Sequence, residues 1–136
     1  MSRVQLALNV PDLEDAIAFY SKLFATAPNK RMPGYANFAI VDPPLKLVLF
    51  ESTDAPSRLN HLGIEVETTD EVASHQSRLQ DAGLAPHDGS GTCCYAAQEK
   101  LWVDGPDGAW ELYTVLADSE SFDCATVPES DTRCCS

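Results

Sequence analysis

Two stretches of this chain match each other at a fixed offset, and that self-similarity constrains the fold more than any other feature. A shift of 56 residues lays Gln5-Leu6-Ala7-Leu8-Asn9-Val10 over His61-Leu62-Gly63-Ile64-Glu65-Val66, and Ser21-Lys22-Leu23 over Ser77-Arg78-Leu79. Both six-residue pieces alternate as half-buried strands do. Each leads into an acidic helix start, Asp12-Leu13-Glu14-Asp15 or Thr69-Asp70-Glu71, and then into a helical stretch ending near Ala27 or Gly83. In the first helix Leu13, Ala16, Ile17, Tyr20, Leu23 and Phe24 recur at helical spacing on one face; the second face is weaker, with Val72, Leu79 and Ala82.

A second offset of 62 pairs Val41-Asp42-Pro43-Pro44 with Val103-Asp104-Gly105-Pro106, which read as hairpin turns, followed by strands Leu45–Glu51 and Ala109–Val115. Each half is therefore expected to run strand, helix, then about three strands, an α+β arrangement. The growth of the offset from 56 to 62 places six extra residues in the second half, around Gly89-Ser90-Gly91-Thr92-Cys93-Cys94-Tyr95. We expect an extended loop there, with Gly89 and Gly91 permitting hinge-like backbone changes. The expected organisation is one domain over residues 1–116, with modules of about 1–54 and 57–116, and a mobile, cysteine-containing tail over 117–136.

The 136 residues suffice for a core that buries roughly 65–70% of the unfolded surface. No apolar run approaches the ~18 residues of a membrane span, and the start lacks the pattern of a secretory signal, so a cytoplasmic location is expected. Nine basic against 21 acidic residues give a charge of -12, which repels phosphate backbones and anionic lipid. Neither nucleic acid nor membrane is an expected partner, and a monomer or homodimer is. Five cysteines, Cys93, Cys94, Cys124, Cys134 and Cys135, form an odd set that argues against a disulfide framework.

If the two like halves pack face to face, residues at equivalent places converge. Gln5 and His61 are such a pair, each opening its alternating strand with side chains aimed to the same side. Glu111 stands among large apolar neighbours in Trp110-Glu111-Leu112-Tyr113, while its counterpart at the 62 offset is Leu49, which cannot ligate. An amide oxygen, an imidazole and a carboxylate would leave about three positions of an octahedral divalent ion open. A histidine near a strand start is also an ordinary hydrogen-bonded residue, the reading that His75 and His87 take. Vicinal cysteines such as Cys93-Cys94 rarely bond to each other, but their thiolates can jointly hold a soft ion: arsenic, cadmium, zinc or copper(I). A second vicinal pair, Cys134-Cys135, closes the tail.

These residues resemble the vicinal oxygen chelate superfamily, the glyoxalase and extradiol dioxygenase fold of paired βαβββ modules. Within it the chain is most similar to the ArsI and CadI group of organoarsenical carbon–arsenic lyases and cadmium-induced proteins. The resemblance covers about residues 1–116. Its most specific carriers are Asn60-His61-Leu62-Gly63 and Thr92-Cys93-Cys94-Tyr95, supported by Val4–Val10, Phe19–Phe24, Pro33–Phe38, Pro44–Leu49, and Trp102-Val103 through Trp110-Glu111.

The resemblance implies a nonheme Fe(II), O2-dependent lyase that demethylates or dearylates trivalent organoarsenicals to arsenite. Gln5, His61 and Glu111 would be the catalytic metal ligands, and Cys93 and Cys94 would bind the substrate. Many members carry His where this chain has Gln5, and an amide oxygen is the weaker donor, which implies a lower iron affinity. Two alternatives stay open: a glyoxalase-type isomerase or thiol transferase, and a non-catalytic protein that sequesters cadmium or arsenite.

Overall fold

The computed structural model describes residues 2–55, 57–93 and 95–118. The chain divides into two compact units, one of Arg3–Leu62, the other of Ser2 with the described residues from Gly63 onward. The architecture is α+β, two βαβββ modules in succession, as the repeat predicts.

The first unit contains β1 (Arg3–Val10), α1 (Leu13–Leu23), β2 (Lys30–Met32), β3 (Tyr35–Ile40), β4 (Leu45–Glu51) and the opening residues of β5 (Leu59–Glu65). β1 and β4 run parallel, with Gln5 opposite Lys46 and Ala7 opposite Val48. β3 joins β4 antiparallel, and β2 joins β3. Asp12 starts α1 where its carboxylate accepts the Asp15 N–H at 3.0 Å, satisfying a donor the first helical turn leaves open. Leu13 and Ile17 of α1, with Ala16, Tyr20 and Phe24 beside them, pack on Val10, Phe38, Leu47 and Leu49. Leu23, expected on the same stripe, is instead 58% exposed. It ends α1, and the apolar stripe is completed by Phe24, which packs against the core.

In the second unit the end of β5 leads to α2 (Thr69–Asp81), β6 (His87–Asp88), β7 (Gly91–Cys93), β8 (Ala96–Gly105) and β9 (Gly108–Asp118). Thr68 and Glu71 form a reciprocal capping box at the start of α2. Val72 is the helix's buried anchor, against Val66, Leu101 and Leu112. β8 lies between β9 and the short β6 and β7, all antiparallel.

Three sequence expectations change. Val103, Asp104 and Gly105 belong to β8, and the turn is Pro106-Asp107, because Gly105 pairs with Gly108. The segment expected to be an extended loop contains a strand, β7, since β8 continues far enough to offer ladder partners to Gly91, Thr92 and Cys93. β9 extends to Asp118, two residues into the stretch read as tail. Residues 119–136, with Cys124, Cys134 and Cys135, lie outside the described residues. Among the described residues no helix is long and apolar enough to cross a membrane.

Candidate functional site

The period of two in β1 sends Leu6, Leu8 and Val10 toward the α1 core and Gln5, Ala7 and Asn9 to the other face. That other face is also buried, so a polar residue there must find a partner. Gln5 is 3% and His61 7% exposed, and the Gln5 amide nitrogen stands 3.1 Å from His61 Nε2. The parity argument therefore holds for this pair. On the same face Asn37 donates to the Tyr35 hydroxyl at 2.9 Å, and the Tyr35 and Phe50 rings lie 5.6 Å apart. By register Phe50 lies opposite Asn9 and Tyr35 opposite Phe50, so these rings line the Asn9 end of the face, while Lys46 stands opposite Gln5. A neutral imidazole nitrogen of intermediate softness and a hard, neutral amide oxygen are a donor combination that a divalent transition metal accepts at adjacent positions.

The second unit repeats the plan: Leu101 and Leu112 face α2, while Gln98, Lys100 and Trp102 of β8, with Glu111 and Tyr113 of β9, occupy the opposite face. There Lys100 Nζ pairs with Glu111 Oε2 at 2.8 Å. The two residues are only 1% and 3% exposed. The ammonium also stands over the Trp102 and Tyr113 rings, 5.6 and 5.5 Å from their centroids. Lys100 was not anticipated. Misplacing the hairpin turn concealed it: with the turn at Pro106-Asp107, Glu111 lies opposite Trp102, and Lys100 follows two residues along on the same face. A lysine at that register is a readable countercharge to a buried carboxylate.

The segment leading to the vicinal cysteines is fastened to this lysine strand. Gly89 N–H donates to the Lys100 carbonyl at 2.9 Å, and the Lys100 N–H donates to Ser90 Oγ at 3.0 Å. A Cβ on Gly89 would fall 2.5 Å from Trp102 Cδ1, so glycine serves close packing here rather than the hinge its sequence context suggested. Asp88 accepts the Ser90 N–H at 2.9 Å, and the hydrogen bonds from Ser90 hold its carboxyl below the usual carboxylate range. Cys93 ends β7 opposite Ala96. Cys94 lies outside the described residues. Tyr95 follows, buried, with φ +65°, a conformation that non-glycine residues adopt at a cost and that recurs at functional turns.

Gln5 and His61 are thus together in one unit, and Glu111 is held by Lys100 in the other. Among the described residues no three His, Cys, Asp or Glu side chains gather as a metal site.

The fold and the two buried polar faces define a protein of paired βαβββ modules, the class to which glyoxalases and extradiol dioxygenases belong. The model of the Glyoxalase/Bleomycin resistance protein/Dioxygenase superfamily matches residues 3–111, and the chain belongs to that family. It is 61% identical over 124 residues to a Mycobacterium tuberculosis protein named cadmium-induced protein CadI, covering 90% of this chain and 82% of that one. It is 54% identical over 138 residues to a trivalent organoarsenical cleaving enzyme of Thermomonospora curvata, covering 99% and 89%. Among solved structures, the Mn(II)-bound glyoxalase of Novosphingobium aromaticivorans superposes with a TM-score of 0.59 at 17% identity, over 90% of this chain and 43% of that one.

Proposed function

We propose that this protein is a nonheme Fe(II), O2-dependent carbon–arsenic lyase that releases arsenite from trivalent methyl- or aryl-arsenicals. The observation that carries the reading is the buried Gln5–His61 pair, an amide and an imidazole brought together at repeat-related positions, so that the Gln5 oxygen and His61 Nε2 are the donors the proposal uses. Glu111 is the third ligand of the proposal. The substrate class follows from the likeness to the Thermomonospora curvata enzyme along 99% of the chain.

Fe(II) held by this set would supply open positions for O2 and the redox chemistry of carbon–arsenic cleavage. The chain's own residues do the rest. Cys93 and Cys94, as thiolates, displace the two hydroxides of R–As(OH)2, so that two As–S bonds replace two As–O bonds and the hydroxides leave to solvent, a selectivity for soft As(III) that hard oxygen ligands lack. Lys100 neutralises Glu111 while its carboxylate is not engaged by a cation, so the buried charge is never isolated.

A second reading, sequestration of cadmium or arsenite without turnover, is favoured by the 61% identity to the cadmium-induced protein. Anaerobic loading with Fe(II) followed by aerobic incubation with a methyl- or phenyl-arsenical separates the two. Arsenite release that requires both Fe(II) and O2, and that His61→Ala and Glu111→Ala abolish in folded protein, supports the lyase. Stoichiometric arsenical binding without release supports sequestration.

A further inference from the structure

Three side-chain hydrogen bonds run in series away from His61, all inside the Arg3–Leu62 unit. His61 Nδ1 lies 2.7 Å from Asn60 Oδ1. Asn60 Nδ2 donates to Asn9 Oδ1 at 3.0 Å, and Asn9 Nδ2 donates to the backbone carbonyl of Ser57 at 2.9 Å. The backbone holds the participants in place. Asn9 N–H donates to the Arg58 carbonyl at 2.7 Å, and Ser57 Oγ accepts the Leu59 N–H at 3.2 Å, which shapes the turn that presents the Ser57 carbonyl.

The direction of the series is set from its far end. A carbonyl oxygen can only accept, so Asn9 must turn its NH2 toward Ser57 and its oxygen toward Asn60. Asn60 must answer with its NH2 and so turns its own oxygen to His61. An oxygen that only accepts requires a proton on Nδ1. In a neutral imidazole the lone pair is then on Nε2. The other side of the ring agrees: an amide nitrogen only donates, and the Gln5 nitrogen stands 3.1 Å from Nε2.

We propose that Asn60 and Asn9 are positioning residues that hold His61 in its Nδ1–H tautomer, leaving Nε2 as the nitrogen that binds metal. The inference rests on the proposed role of His61 as a ligand and extends it to residues that touch no metal. The repeat supports the assignment. At the 56-residue offset the residue before Gln5 is Val4, where the residue before His61 is Asn60. An amide has one oxygen and no tautomers, so its half of the repeat needs no such device, whereas imidazole presents its lone pair on either nitrogen until a neighbour chooses.

The test reads the tautomer directly in metal-free protein by two-bond 1H–15N correlation of 15N-histidine, with His61→Gln identifying the His61 signals among the three histidines. The wild type should show Nδ1–H. Asn60→Ala should release the Nε2–H form and weaken Co(II) binding by about 10–100-fold in an anaerobic titration. Asn60→Asp keeps an acceptor beside Nδ1 but loses the NH2 that Asn9 Oδ1 accepts from, so it should restore the Nδ1–H tautomer and only part of the affinity. Asn9→Ala should produce a tautomer mixture and a smaller loss, and it provides the same reading should Asn60→Ala not fold. An Nε2–H signal in the wild type, or Nδ1–H and Co(II) affinity both unchanged in Asn60→Ala, would overturn the proposal. Wild-type protein that binds no Co(II) would instead overturn His61 as a ligand, and the metal-free spectrum alone would then decide whether the asparagines set the tautomer.

Discussion

Replacing Lys100 by Met tests whether the second unit is built around an ion pair that tolerates loss of neither member alone. At 2.8 Å and an effective dielectric of 20, the gross attraction of Lys100 and Glu111 is about 6 kcal/mol. Desolvating two nearly inaccessible ions costs several kcal/mol each, so the intact pair contributes little net stability. Removing the lysine alone is different, because Glu111 keeps its charge in a buried strand and loses the partner that justified it. The expected cost is about 3–5 kcal/mol. Loss of the contacts with Trp102 and Tyr113 adds about 0.5–1 kcal/mol per ring. Met conserves the length of the stem, so the loss reports charge rather than a cavity. Glu111→Gln should likewise destabilise, since it strands the ammonium. The double variant should recover most of the loss, because no buried charge remains. Urea unfolding of the four metal-free proteins closes the cycle, with an interaction energy of about 3 kcal/mol expected. Single losses that add to within about 0.5 kcal/mol would refute the reasoning, as would a Lys100→Met protein as stable as the wild type.

Gly89→Ala forces a methyl into Trp102, which is 0% exposed and has nowhere to retreat; a loss of about 1–3 kcal/mol is expected in urea unfolding, although alanine ordinarily stabilises flexible glycine positions. Asp88→Asn should lower Tm at neutral pH. Because folding depresses the Asp88 pKa below 3.8, its stabilisation is present above that value and lost as pH falls through the lowered folded value, so the Tm gap between variant and wild type should narrow in acid. Gln5→His should leave the fold intact and tighten Fe(II) by about tenfold, measured by anaerobic titration, since imidazole is the stronger donor and completes a two-histidine, one-carboxylate set. Weaker Fe(II) binding in a folded Gln5→His protein would remove Gln5 from the ligand set.

The repeat made the modules legible because strand parity survives divergence: Gln5 and His61 share a face for the same reason that Leu6 and Ile64 do not join them there. What it could not supply was register in the second half, where the six extra residues break the correspondence. A turn displaced by a few residues is enough to hide a partner, since cross-strand neighbours are assigned by counting outward from the turn. That is why Glu111 could be singled out from its apolar neighbours while Lys100, its countercharge, could not. The asparagine series was hidden for another reason. Asn60 stands out in the sequence only as part of the Asn60-His61-Leu62-Gly63 motif and Asn9 not at all, and their joint significance depends on the Ser57 carbonyl, a backbone group whose direction is set by the turn rather than by residue type. Composition and periodicity identify which side chains are buried; the proton positions that make a buried imidazole a directed ligand follow only from the complete series of donors and acceptors, traced back to an atom whose role is fixed.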